Sequence, residues 1–517
     1  MQITGNDNVQ AKEVISEREE KFENLRKSIG LFLGPAFFLI MLFIPIAELN
    51  PKAHTLSAVM LWIIVWWITE PIPIPATALV GIVLCSITGV ADIKIILQPF
   101  ADPLIFLFLG SFILAKAMSI HNLDKRFSYS IMSLKWVKNS SVRILFTFGA
   151  IAAFISMWIS NTATTAMMFP IGIGIVNSMA EIISRNTGKP VDPRTLKFGT
   201  GMMLMAAYAS SAGGIGTPVG TPPNLIGIGL IEKFTGIKIT FVQWMSFSLP
   251  ILIVMYFALF AIMYFLHKPE INHIKGTGDF IKAEKAKLGK WTRGQKNSLI
   301  GFLIAVTLWI MPGFIGLIYG GNSAELKAYN SFLPETVGAL AGALFLFLLP
   351  VNWKERKFTI NWHDAVNIDW GTLLLFGSGL SLGTLMYDTK LAEYIGKWMI
   401  NLGNVESVWG ITFAAIFISI IVSEATSNTA SANMIVPVLI AICLSAGINP
   451  LPPAIGATLG ASWGFMLPVS TAPNAIVYGS GMVPITKMVR AGIFFDIAGG
   501  LIIWLGLRFL LPLVGLS

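Results

Sequence analysis

Long apolar stretches separated by short polar segments make up the chain from residue 29 onward. Several stretches are longer than one bilayer crossing needs and are interrupted by Gly, Pro, Asn or Ser. Because backbone groups in hydrocarbon need internal hydrogen-bond partners, these interruptions must face protein or a water-filled cavity. The pattern predicts an all-α polytopic membrane protein with roughly ten to twelve crossings, plus re-entrant or broken helices. The apolar stretches cover residues 29–49, 56–69, 76–90, 103–118, 144–183, 196–231, 239–265, 299–319, 333–350, 369–385, 408–444, 452–469 and 482–513.

Polar segments divide the chain into two membrane halves. Residues 1–28 form a polar N-terminal segment of mixed charge, more like a surface helix than a cleaved leader. Residues 268–296 carry eight Lys or Arg residues against three acids, which predicts a basic cytoplasmic linker. The first membrane half is then 29–267 and the second is 297–517.

Composition supports an integral membrane protein and excludes other classes. Of the 517 residues, 55% are hydrophobic and only 12% are charged, which does not suit a soluble or disordered chain. The net charge of +9 lies in short segments between apolar stretches, so it indicates membrane orientation and not a nucleic-acid partner. The two cysteines, Cys85 and Cys443, lie in apolar stretches, so neither a disulfide framework nor a zinc site is expected.

The two halves share repeated motifs. The tetrapeptide Ser-Asn-Thr-Ala at 160–163 recurs at 427–430, an offset of 267, and Gly110-Ser111 recurs as Gly377-Ser378 at the same offset. Further on, Gly-Thr-Pro-Pro-Asn at 220–224 resembles Ser-Thr-Ala-Pro-Asn at 470–474, an offset of 250. Two motifs in the same order, each in an interrupted apolar stretch, indicate internal duplication.

The repeated residues suit a transporter binding site. Paired interrupted helices in matching positions of two halves are the best sequence indication of such a site. Ser156 and Ser160 are four residues apart, as are Ser423 and Ser427, so each pair is expected to share a helical face beside a break. Hydroxyls and freed carbonyls there would bind a small cation, and the next helix N-terminus would attract an anion. Helix–helix hydrogen bonding is the alternative for a single motif, but two matched copies favour a ligand site.

These residues resemble a known family. The run Ser462-x-x-Phe465-x-x-Pro468-Val469-Ser470-x-x-x-Asn474-x-Ile476-Val477, with the twin Ser-Asn-Thr motifs, is similar to the signature of the divalent anion/sodium symporters, which include sodium–dicarboxylate and sodium–citrate carriers. The resemblance implies an inverted-repeat, homodimeric secondary transporter. It also implies two re-entrant hairpins and a scaffold domain against which an elevator-type transport domain moves.

The resemblance also implies roles for particular residues. The substrate contacts would be Asn161, Thr162, Thr221, Asn428, Thr429 and Thr471. A first sodium site would contain Ser156, Ser160, Asn161 and Gly220, and a second would contain Ser423, Ser427, Asn428, Ser470 and Thr471. Many family members have Pro where this chain has Ala472, which makes the second cation site the less closely matched one.

A few acidic residues also lie within or beside apolar stretches. Glu424, three residues before Ser427, is equally compatible with a functional role and with pinning the hairpin through backbone N–H groups. For Asp369 and Asp496, capping or packing is a sufficient explanation.

The function that these features predict is transport of small C4 or C5 dicarboxylates such as succinate, malate, fumarate or 2-oxoglutarate. The motifs contain no Lys or Arg, and a dianion held by neutral donors is costly to move through a low-dielectric region. Bound Na⁺ would offset that charge, so sodium symport is favoured over dicarboxylate exchange, which stays open. No cofactor besides Na⁺ is expected. A channel or a membrane-embedded enzyme is a remote alternative, because neither a repeated pore nor a catalytic motif is found.

Overall fold

The computed structural model describes residues 17–137, 139–274, 276–321, 323–402 and 407–516. The predicted N-terminal segment 1–28 lies outside these ranges up to residue 16; from Glu17 it is continuous with the first apolar helix. The first-half helices are α1 (Glu17–Phe43), α2 (Pro51–Thr69), α3 (Ile74–Ile87), α4 (Ile93–Leu97), α5 (Pro103–Ile120), α6 (Leu123–Met132), α7 (Ser141–Ser156), α8 (Asn161–Thr187), α9 (Lys197–Gly213), α10 (Pro222–Thr235) and α11 (Phe241–Leu266).

The linker and the second half are also mainly helical. Their helices are α12 (Thr277–Lys287), α13 (Arg293–Tyr319), α14 (Ala324–Phe332), α15 (Glu335–Leu348), α16 (Trp362–Ala365), α17 (Trp370–Asp388), α18 (Leu391–Leu402), α19 (Val408–Ala425), α20 (Asn428–Ser445), α21 (Leu451–Ala461), α22 (Ala472–Tyr478) and α23 (Ile485–Leu510). Short 3₁₀ turns cover Gln98–Ala101, Pro193–Thr195, Gly214–Gly216 and Pro512–Val514. Two short antiparallel strands, β1 (Pro350–Asn352) and β2 (Lys357–Phe358), form a hairpin.

Within the described ranges, nine helices are long and apolar enough to cross a membrane. They become ten if α14 and α15, which meet at an angle of 46°, form one bent span. The sequence predicts ten to twelve crossings, more than this count, because some apolar stretches are divided and part of each forms a helix too short to be counted. The stretch 144–183, for example, is shared between α7 and α8.

Helix boundaries repeat between the halves. The helices α5, α7 and α8 begin 267 residues before α17, α19 and α20 respectively. The helix α10 begins 250 residues before α22. The same two offsets relate the sequence motifs, so corresponding motifs occupy corresponding helix ends.

Side chains from one half fasten to the other and to the linker. The fully buried Tyr208 of α9 donates its hydroxyl proton to the Phe465 carbonyl at 2.6 Å and lies 3.1 Å from that of Met488. The Arg126 guanidinium of α6 donates to the Leu288 and Gly289 carbonyls of the linker, at 2.7 and 2.9 Å. The basic linker is therefore held against α6.

Candidate functional site

The Ser-Asn-Thr motifs lie at two matched helix breaks. Helix α7 ends at Ser156, and α8 begins at Asn161 with Ser160 as its N-cap, whose hydroxyl accepts the Ala163 N–H at 3.2 Å. In the second half Ser427 caps α20 through the Ala430 N–H, also at 3.2 Å. Serine is a favoured N-cap because its short side chain reaches a free amide of the first helical turn. Each motif thus begins a new helix.

The serine pairs do not share a helical face, which corrects the sequence interpretation. Ser156 is the last residue of α7 and Ser423 lies in the last turn of α19, whereas Ser160 and Ser427 lie beyond the breaks. The breaks fall between the members of each pair, so the 3.6-residue periodicity does not run through them. Their hydroxyls therefore have separate roles.

Ser156 and Ser423 instead bond the asparagines across the breaks. The Ser156 hydroxyl donates to Asn161 Oδ1 at 2.7 Å. The Ser423 hydroxyl lies 2.8 Å from both Asn428 Oδ1 and the Ala461 carbonyl oxygen. In each half the amide oxygen is within hydrogen-bond distance of a serine hydroxyl, so the amide NH₂ is the part of the asparagine that can donate to an anion.

A second pair of asparagines, which the sequence interpretation did not assign to the site, lies beside the breaks. Asn224 donates its NH₂ to the carbonyls of Gly214 and Thr217, at 2.9 and 2.8 Å. Asn474 donates in the same way to the Leu467 carbonyl at 3.0 Å. Carbonyls only accept, so these contacts fix the orientation of both amides.

The side-chain oxygens of Asn224 and Asn474 are fully buried and accept no hydrogen bond from the described residues. An unsatisfied buried acceptor is costly unless something electropositive contacts it. Matched orphan acceptors in the two halves therefore fit a bound cation at each. The sequence feature that could have indicated Asn224 and Asn474 is the shared Thr-x-Pro-Asn ending of the second motif, whose threonine and asparagine recur at the offset of 250.

Gly220 and Ser470 occupy equivalent positions with different packing. A Cβ at Gly220 would lie 2.4 Å from the Gly214 carbonyl oxygen and 2.9 Å from that of Met157, so only glycine fits. The Ser470 hydroxyl instead donates to Glu424 Oε2 at 2.6 Å. Both positions bring oxygen atoms together beside a break, as the chemistry of a small cation requires.

Glu424 and Asp496 are both buried but have distinct surroundings. Glu424 accepts the N–H groups of Met466 and Leu467, at 2.8 and 3.3 Å, as well as the Ser470 hydroxyl. It therefore pins the unwound segment before α22. Asp369 caps α17, as the sequence suggests. Asp496 does not cap a helix; it lies within α23, 3% exposed, close to the Glu424 carboxyl group and the Phe465 backbone.

The breaks open onto one cavity of about 580 Å³. Ten of the twelve predicted site residues line it. They are Ser160, Asn161, Thr162, Gly220, Thr221, Ser427, Asn428, Thr429, Ser470 and Thr471. Ser156 and Ser423 do not line it, because each is fully buried behind its asparagine.

Other walls of the cavity come from α5 and the start of α17. The α5 face contributes Ser111, Phe112, Ala115, Lys116 and Ser119. The segment 367–369 and Thr372 complete this part of the lining. The sequence interpretation did not include Lys116. The signal that could have found it was its position as a lone charge in the apolar stretch 103–118.

Comparisons with known proteins identify the family of the chain. Residues 25–515 match the family model described as the sodium:sulfate symporter transmembrane region. The "sodium-dependent dicarboxylate transporter SdcS" of Staphylococcus saprophyticus is 35% identical over 96% of this chain and 94% of its own. Its namesake in Staphylococcus aureus is 34% identical over 94% of this chain and 91% of its own.

A solved structure, that of the Alcanivorax borkumensis YdaH transporter, matches 95% of this chain and 97% of its own with a TM-score of 0.48 and 13% identity. The sequence matches confirm the family resemblance. The chain is a multi-pass membrane transporter and not an enzyme.

Proposed function

Since this chain belongs to the sodium:sulfate symporter family, we propose that it transports small C4 or C5 dicarboxylates across the cell membrane by Na⁺ symport. The observation that carries the proposal is the convergence of both Ser-Asn-Thr motifs on one cavity, each backed by a buried orphan amide oxygen. The relatives named as sodium-dependent dicarboxylate transporters support the substrate class and the coupling ion. Succinate, malate, fumarate and 2-oxoglutarate are the proposed substrates.

The two carboxylates of the substrate would bind the two Ser-Asn-Thr motifs. Asn161 and Asn428 have their amide oxygens engaged by serines, which leaves the NH₂ groups to donate to carboxylates. The N-termini of α8 and α20 add free N–H groups and positive dipole ends. The proposed contacts are completed by Thr162, Thr221, Thr429 and Thr471.

Each half would hold one sodium ion as cargo. The first site would comprise Ser156, Ser160, Asn161 and Gly220, with Asn224 added on the evidence of its orphan oxygen. The second would comprise Ser423, Ser427, Asn428, Ser470 and Thr471, with Asn474 added for the same reason. The positive charge of the two ions would offset the dianion in the low-dielectric interior, where an unpaired charge is costly.

We further propose an inverted repeat, an elevator-type movement and a homodimer, as the family resemblance implies. Tyr208 ties α9 of the first half to the Phe465 carbonyl beside the second break. Thr200 donates to the Met482 carbonyl at 2.9 Å, again between halves. These bonds would let the two breaks move as one body.

The test is uptake of labelled succinate into proteoliposomes, with and without Na⁺ and with and without internal dicarboxylate. Asn161→Ala and Asn428→Ala should each lower apparent succinate affinity by about tenfold or more, because a hydrogen bond to a charged group is worth about 1.5–3 kcal/mol. Asn177→Ala, at an exposed position of α8, is the matched control and should not change uptake.

Two results would contradict the proposal. Uptake that ignores Na⁺ and requires internal dicarboxylate would replace symport with exchange. Unchanged succinate affinity in both asparagine variants would remove the motifs from the binding site.

A further inference from the structure

Lys116 is the one charged residue of α5, a helix otherwise apolar enough to cross the membrane. Its side chain lines the cavity that also contains both Ser-Asn-Thr motifs. A charge within a membrane helix is costly unless it faces a protein partner or a water-filled cavity, and such residues mark ligand pathways. Lys116 faces the cavity of the proposed substrate site.

The charge of Lys116 is not neutralised by the described residues around it. Among the residues that line the cavity, Lys116 is the only cation and Asp369 the only carboxylate. Asp369 is engaged as the N-cap of α17: it accepts the Thr372 N–H at 3.0 Å and the Thr372 hydroxyl at 2.6 Å. Lys116 makes no hydrogen bond or ion pair within the described ranges. Its ammonium is therefore available to an anionic ligand.

The end of α5 is anchored near Lys116. Just after α5, His121 accepts a hydrogen bond from the Gln295 amide through its carbonyl at 3.0 Å, and its ring Nε2 lies 2.8 Å from the Thr359 carbonyl. Gln295 also belongs to the capping box that begins α13 after the linker. These contacts fix the backbone that carries Lys116, while the side chain stays in the cavity.

We infer that Lys116 is a positioning residue that draws the dicarboxylate dianion into the cavity and makes the site favour doubly charged over singly charged substrates. The inference rests on the proposed function. It adds a cationic wall to a site whose sequence motifs supply only neutral donors and helix ends. Lys116 acts across the cavity and so complements the asparagine contacts.

The expected effect follows from Coulomb's law. We take the ligand to lie about 10 Å from the Lys116 ammonium, which is roughly the width of such a cavity. The energy of their interaction is proportional to the charge of the ligand and inversely proportional to the effective dielectric constant. For a hydrated cavity, loss of the Lys116 charge should weaken dianion binding about five- to tenfold and monoanion binding about two- to threefold. Salt should reduce both effects, because the screening length is about 10 Å at 0.1 M.

The experiment compares Lys116→Gln, Lys116→Arg and Lys125→Gln in the purified full chain at constant saturating Na⁺. Lys125, exposed on α6, is the matched control because its removal changes net charge equally. Equilibrium binding of labelled succinate gives the dianion affinity, and competition by succinamate gives the monoanion affinity. Both are repeated while choline chloride raises the ionic strength.

The inference expects Lys116→Gln to lower succinate affinity more than succinamate affinity, with Lys116→Arg and Lys125→Gln close to the unmodified chain. Equal losses for both ligands, or no loss, would overturn it while leaving the proposed function intact. Failure of the unmodified chain to bind succinate would overturn the proposed function and this inference with it. If Lys116→Gln does not fold, Lys116→Met takes its place, and equal losses of succinate and succinamate affinity in that variant overturn the inference in the same way.

Discussion

Replacing Glu424 with Gln tests whether a buried carboxylate organises the second cation site. In the structure the carboxylate accepts the Ser470 hydroxyl at 2.6 Å and the Met466 and Leu467 N–H groups at 2.8 and 3.3 Å. Because the Ser470 proton points at Glu424, the lone pairs of the Ser470 oxygen stay available to the proposed Na⁺. Gln keeps one carbonyl oxygen, but whichever carboxylate oxygen its NH₂ group replaces, that group meets at least one of these three donors.

The magnitude follows from these three contacts. A hydrogen bond to a charged acceptor contributes about 1.5–3 kcal/mol and a neutral one about 0.5–1.5 kcal/mol, so two weakened bonds and one misdirected NH₂ cost about 2–4 kcal/mol. The part carried by the Ser470 bond is about 1–1.4 kcal/mol, which corresponds to a five- to tenfold rise in the half-saturating Na⁺ concentration.

The assay is initial succinate uptake against Na⁺ concentration in proteoliposomes, combined with thermal unfolding of the purified protein. Ser470→Ala and the double variant complete a cycle, in which residues in direct contact should show a coupling of about 0.5–3 kcal/mol. Glu393→Gln, which removes a carboxylate from an exposed ion pair with Lys397, is the control and should leave the Na⁺ dependence unchanged.

The reasoning fails if Glu424→Gln lowers thermal stability but leaves the Na⁺ dependence at its original value. Additive effects of the Glu424 and Ser470 changes on Na⁺ dependence would equally contradict it. Either result would confine Glu424 to a structural contact.

Two further predictions concern packing and pH. Gly220→Ala should reduce Na⁺-dependent uptake at least tenfold, because its Cβ meets two backbone carbonyls and overpacking costs about 1–3 kcal/mol. Gly321→Ala is the control and should leave uptake unchanged, because there is open space around Gly321. Normal uptake by Gly220→Ala would show that the site tolerates a Cβ at this position. Burial raises the pKa of Asp124 on α6 to about 6. The folded protein therefore holds this proton more tightly than the unfolded chain, whose Asp pKa is about 3.9, and stability falls as pH rises from about 4 through 6. Asp124→Asn should remove that decline and raise the free energy of unfolding at pH 8 by about 2–3 kcal/mol. The measurement is the melting temperature of both proteins between about pH 4.5 and 8. Equal dependence of the melting temperature on pH in the two proteins would contradict this prediction.

Local sequence was sufficient to predict the helix breaks, and the predicted site residues form part of the cavity lining. Serine at 160 and 427 begins a helix because an N-cap needs only its own side chain and an amide three residues on. Repetition of those local signals at a constant offset placed two equivalent breaks in the chain. The family resemblance, and not the caps alone, assigned the ten site residues that line one cavity.

Long-range packing decided the partners of the polar groups. Glu424 finds its donors 42–46 residues away, and Asn224 finds carbonyls on an unwound turn whose course the sequence does not define. The interpretation of Ser156 and Ser160 as one helical face was wrong because periodicity holds only while a helix continues. Lys116 belongs to a helix remote in sequence from either motif, and only the tertiary structure brings its charge into the cavity. Caps and breaks depend on neighbours within one helical turn, whereas hydrogen-bond partners and the electrostatics of a cavity depend on which distant segments pack together.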